Sequence, residues 1–137
     1  MYARRWPGLR SRPIRRYIRF RVVEFASASC PSLKGMIPHG YCMTAKQLLR
    51  DRKEFARGTV ERVVWRLPQP VPPCTHCFKY RLVYVEDGRR VIGFDNERGK
   101  GDHYHSEGRE APYRFTTLER LLDDFSSAVA QWVEADR

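Results

Sequence analysis

The dipeptide Asp87-Gly88 constrains this chain more than any other feature. It separates two apolar-rich runs, Phe78 to Glu86 and Arg89 to Asn96. Asp-Gly supplies the positive φ angles of a tight turn, so the two runs form an antiparallel hairpin. In the first run Tyr80, Leu82 and Tyr84 alternate with Val83 and Val85, so both faces are apolar. A strand of that kind sits centrally in a sheet and is covered on both sides. Upstream, Val60, Val63, Val64, Trp65 and Leu67 read as a strand. Arg57-Gly58-Thr59 is the turn candidate before it. Pro68, Pro70, Pro72 and Pro73 stop it, because proline cannot donate to a ladder. Residues 44–56 are ambiguous between strand and helix by propensity.

A helix closes the chain. Thr116 with Glu119 three residues on has the form of a capping box. Leu118, Leu121, Leu122, Phe125, Val129, Trp132 and Val133 then repeat with helical period. That stripe needs a sheet to pack on. The expected architecture is α+β: an antiparallel sheet of about four strands, with the C-terminal helix on one face.

Charge divides the chain. The 137 residues carry a formal net charge of +10. Residues 1–42 hold nine basic residues against one acidic, which leaves only +2 for residues 43–137. A nucleic-acid argument from net charge is therefore an argument about the first third. That third has no sustained period and reads as a disordered basic extension, apart from one weak strand pattern over Ile14 to Phe25. Its Arg-rich, acid-poor composition matches an organellar transit peptide but not a twin-arginine signal. A start at Met43 is the alternative. No apolar run reaches the ~20 residues that span a bilayer, so no membrane role is expected.

Cys74-Thr75-His76-Cys77 has metal-ligand spacing, but no second ligand pair of similar spacing accompanies it. Cys30 and Cys42 lie twelve apart in the irregular first third. Reduced thiols in a cytosolic protein are the expectation. Nucleophile elbows, phosphate loops and dinucleotide fingerprints are absent from the sequence.

The densest chemistry lies in residues 97–112, which read as a polar, Gly-rich loop with Tyr113-Arg114-Phe115 extended beyond it. Lys100, Asp102, His103, His105, Arg109, Glu110 and Arg114 crowd there, with Asp95 and Asn96 just before. His103 and His105 sit two apart, so an extended backbone points both to one face. Two imidazoles on one face can act as a general acid/base pair. They can equally bind a metal with Asp102 or Asp95. Lys100, Arg109 and Arg114 suit a phosphate. A solvated polar loop with ion-paired Asp95 and Arg109 is the bland alternative.

Three stretches together resemble the TumE-type toxin family of prokaryotic toxin–antitoxin systems. They are Phe78-Lys79-Tyr80-Arg81-Leu82, Asp95-Asn96-Glu97-Arg98-Gly99-Lys100-Gly101-Asp102-His103-Tyr104-His105, and Arg109-Glu110 with Pro112-Tyr113-Arg114-Phe115. Leu121-Leu122-Asp123-Asp124-Phe125 and Trp132 fit the family's C-terminal end. The likeness runs from Met43 to about Val133. It implies a first strand over residues 45–54 and a helix-turn-helix DNA-binding antitoxin as partner. It also puts weight on Asp95 to Arg114 as a shared functional surface.

The expected function is that of a cytoplasmic toxin acting on RNA as a small, metal-independent endoribonuclease. His103, His105 and Asp102 are the expected catalytic residues. Lys100, Arg109, Arg114, Asp95 and Asn96 are the expected substrate contacts. Neither a metal nor another cofactor is expected. The alternative is a non-catalytic module that binds protein or nucleic acid.

Overall fold

A computed structural model describes residues 44–135. The strand pattern over Ile14 to Phe25, the basic extension, Cys30, Cys42 and Met43 lie outside the described residues.

Six strands form one sheet in the order of the chain, each antiparallel to the next. They are β1 (Lys46–Phe55), β2 (Gly58–Arg66), β3 (Phe78–Glu86), β4 (Arg89–Glu97), β5 (Gly101–Ser106) and β6 (Arg109–Pro112). The helix α1 (Leu118–Ala135) follows. The α+β reading holds, with six strands in place of four. The expected hairpin is β3–β4, where Asp87 and Gly88 adopt φ of 49° and 72°. β3 is covered on both faces as its sequence requires, since Leu82, Val83 and Tyr84 are fully buried.

Two further strands occupy the expected loop. Glu107 and Gly108, at φ 52° and 75°, turn β5 into β6 by the same device as Asp87-Gly88. The strand pattern is hidden because most β5 and β6 positions are polar, so hydrophobic alternation does not mark them. The first turn also moves. Ala56, with φ 55°, and Arg57 make it, and Gly58 already belongs to β2. A Cβ on Gly58 would lie 2.3 Å from the Val85 carbonyl, so no other residue fits there.

The helix begins one residue later than the capping pattern suggests. Thr117, not Thr116, accepts the Arg120 N–H at 3.1 Å, so Thr117 is the N-cap and Arg120 stands at its third helical position. Leu118, Leu121, Leu122, Phe125 and Val129 are buried against the sheet. Phe125 meets Phe94 of β4 edge-on, with centroids 6.0 Å apart. Val64, Tyr80, Leu82, Tyr84, Ile92 and Tyr104 complete this core. The buried Asp124 accepts the Tyr113 hydroxyl at 3.0 Å and pairs with Arg120 at 2.9 Å. These bonds tie the helix to the residues that follow β6. Among the described residues no helix is long and apolar enough to cross a membrane.

Candidate functional site

Strand alternation places successive side chains of β4 and β5 on opposite faces of the sheet. Phe94, Asn96, Asp102 and Tyr104 point toward the helix side. Asp95, His103 and His105 point to the other side. The register sets Asp95 directly opposite His103, and Gly93 opposite His105. The polar residues expected to act together therefore divide into two clusters.

The first cluster is on the face away from the helix. The His103 and His105 rings are 5.0 Å apart and steeply inclined, at 75°. Asp95 lies between them: His103 Nε2 is 2.5 Å from Oδ1, and His105 Nε2 is 3.6 Å from Oδ2. The short contact is not aligned as a hydrogen bond, and Oδ1 is a buried oxygen with no hydrogen-bond partner. His103 Nδ1 sits 3.0 Å from the Gly101 carbonyl. A carbonyl only accepts, so Nδ1 carries the proton and donates it. His105 Nδ1 is 3.8 Å from Glu110 Oε2, too far for a hydrogen bond. The His103 side chain is 5% exposed and that of His105 13%, so His105 is the ring that an incoming molecule meets. Burial holds His105 below the ordinary imidazole range, and the Arg90 guanidinium adds to this effect.

Arg90 was not among the expected residues. Its guanidinium reaches Asp95 Oδ2 at 3.4 Å. It does so across Gly93, where a Cβ would come within 3.0 Å of the Arg90 Cδ. Gly93 thus leaves the gap that lets a cation from one end of β4 reach the carboxylate near the other. No local sequence pattern marks such a residue.

The remaining expected contacts are scattered. Lys100 Nζ is held by Glu110 at 2.7 Å, and each raises or lowers the other's pKa in the direction that favours charge. Arg109 is opposite Ser106 and so takes a position on the helix side, exposed. Arg114 lies beyond β6 and is exposed. Asn96 is buried inside the protein. It accepts the Tyr80 N–H at 3.0 Å and donates to the Phe78 carbonyl at 2.8 Å, which fits a bracing group and not a substrate contact.

Asp102 heads the second cluster. It accepts the Tyr80 hydroxyl at 2.7 Å and His76 Nε2 at 2.9 Å. His76 Nδ1 in turn accepts the Phe78 N–H at 3.2 Å, which fixes the ring's proton on Nε2. Phe115 packs on the His76 ring at 3.8 Å. Burial alone would raise Asp102, but the His76 and Tyr80 hydrogen bonds outweigh it and leave its pKa below the usual range. Burial, with the neighbouring Asp102 charge, pushes the Cys74 thiol up. Cys74 is free, but Cys77 is disulfide-bonded, so the expectation of reduced thiols does not hold for the pair. His76 and Tyr80 are 26 and 22 residues from Asp102, so spacing could not have found them.

Fold and site together define a small α+β domain whose sheet carries a His–His–carboxylate centre on the face away from the helix. The chain matches the family model described as Toxin TumE over residues 43–133, and it belongs to that toxin family. No curated protein and no solved structure matches it.

Proposed function

We propose that this toxin-family chain is an endoribonuclease whose working centre is Asp95, His103 and His105, without a metal in its chemistry. The observation that carries this reading is the pair of imidazoles 5.0 Å apart with one carboxylate between them. Cleavage of RNA by its own 2′-hydroxyl needs a proton acceptor, a proton donor and a cation, all near one phosphodiester.

His105 is the acceptor, because neither of its nitrogens is committed to a hydrogen bond. The 2′-oxygen attacks phosphorus as His105 takes its proton. The bond to the 5′-oxygen breaks, and that oxygen leaves with the Nε2 proton of a doubly protonated His103, whose Nδ1–H stays on the Gly101 carbonyl. The products are a 2′,3′-cyclic phosphate and a 5′-hydroxyl end. Asp95 orients His103, and Arg90 supplies the positive charge for the crowded phosphorus. Asp102 and Asn96 brace the sheet from its other face, and Lys100 acts through Glu110. Arg109 and Arg114 are free to contact RNA farther along the strand.

The partner that restrains such a toxin is an antitoxin carrying a helix-turn-helix DNA-binding domain, in the cytoplasm. The test is total RNA incubated with the purified full chain in EDTA. Cleavage leaving cyclic phosphate ends supports the reading. No cleavage in any buffer favours a non-catalytic binding module.

A further inference from the structure

We infer that Asp95, His103 and His105 also form a binding site for one divalent transition-metal ion of the zinc class, and that the ion switches the acid–base centre off. The effect on activity rests on the ribonuclease reading; the binding does not.

The ligand atoms are in place. One oxygen of Asp95 and one nitrogen from each histidine lie within 4.8 Å of one another. A tetrahedral zinc site sets its ligand atoms about 3.4 Å apart; His105 Nε2 is already 3.6 Å from Asp95 Oδ2, whereas His103 Nε2, 2.5 Å from Oδ1, has to draw back by roughly 1 Å to admit an ion. Two imidazoles with a carboxylate suit zinc, cobalt or nickel better than magnesium or calcium, which prefer all-oxygen shells.

Three further features point to a cation. Asp95 is only 9% exposed, and its Oδ1 is buried without a hydrogen-bond partner. His103 donates Nδ1–H to the Gly101 carbonyl, so in the neutral ring the Nε2 lone pair faces Asp95, and an ion there takes the place of the proton used in cleavage. The bond to Gly101 is the support a metal-bound histidine has from its outer shell. Glu110 stands behind His105 Nδ1 at 3.8 Å, where a small shift completes the same support.

Cys74, His76 and Asp102 also lie within 4.8 Å of one another, yet they make the poorer site. The His76 ring has the opposite polarity. Its Nδ1 accepts the Phe78 N–H, so Nε2 holds the proton where a metal would have to bind. Coordination there requires an imidazolate or the loss of a backbone hydrogen bond. Cys74 Sγ is also engaged by the Asn96 amide, at 3.6 Å.

An ion on both imidazoles removes the proton acceptor and the proton donor at once, so cleavage stops. The test titrates metal-stripped full-length protein with Co2+ alone, read by visible absorption, and with Zn2+ alone, read by calorimetry. One ion is expected per chain. His105→Ala and Asp95→Asn should each weaken binding by more than roughly tenfold, while His76→Ala leaves it unchanged. Circular dichroism confirms that each variant is folded, and His105→Ala alone suffices if Asp95→Asn is not. Equal binding by wild type and His105→Ala, or loss on His76→Ala, overturns the site. Zn2+ should also suppress RNA cleavage in the wild type. Cleavage without any metal binding sinks this inference and leaves the ribonuclease reading standing. Binding without cleavage, with or without the ion, does the reverse.

Discussion

β5 carries two histidine–carboxylate clusters back to back, and they differ in what their hydrogen bonds leave over. On the helix side, Asp102 is saturated: Tyr80 and His76 both donate to it, and His76 is fixed in turn by a backbone N–H. On the other side, Asp95 Oδ1 is buried and outside any hydrogen bond, touching only His103, and His105 has no nitrogen in a hydrogen bond. A closed network stabilises a fold, because every buried polar group has its partner. An open one stores proton-transfer capacity at a cost in stability, which is what a working site requires. Asp102 and His103 are adjacent in sequence and serve opposite ends.

That contrast breaks first at Asp102. Asp102→Ala orphans a phenol and an imidazole together and should cost about 3 kcal/mol of stability in urea unfolding. Cleavage per folded molecule should stay as it was. Arg90→Ala tests the other face, and should lower RNA cleavage roughly tenfold while the unfolding midpoint hardly moves. Tyr80→Phe removes a single bond to Asp102 and should cost about 1 kcal/mol, again without a change in cleavage.

Acid supplies a finer comparison. The folded-state pKa of Asp102 is depressed. Its stabilising contribution is present above the unfolded carboxylate value near 3.9 and is lost as pH falls through the lower folded value. Acid unfolding should accordingly be steeper in the wild type than in Asp102→Asn, when both are followed by circular dichroism below about pH 4. The smallest effect is expected at Lys100. It is exposed and paired only with Glu110, so Lys100→Ala should leave the thermal midpoint unchanged within error.

Much of this was legible in the sequence, for identifiable reasons. The Asp87-Gly88 hairpin and the helical stripe over Leu118 to Val133 were strong local signals, and both elements are present. The two-residue spacing of His103 and His105 needed only an extended backbone to bring the rings together, and β5 supplies it. The same alternation turns Asp102 to the opposite face, where it meets Tyr80 and His76. β5 and β6 look like loop in the sequence because their polar side chains mask a turn, Glu107-Gly108, of the same kind as Asp87-Gly88. His76 joins Asp102 through a loop return of 26 residues, which no short window spans. Arg90 is only five residues from Asp95, an odd spacing that regular alternation sends to opposite faces, and they meet where the β3–β4 register shifts.

The central claim is that the open cluster, and not the closed one, does the protein's work. Growth inhibition by a His103→Ala, His105→Ala double variant, expressed without antitoxin and checked for folding, tests it most directly. The account predicts a folded protein that still binds its antitoxin and no longer arrests growth. A folded double variant that remains fully toxic would contradict it.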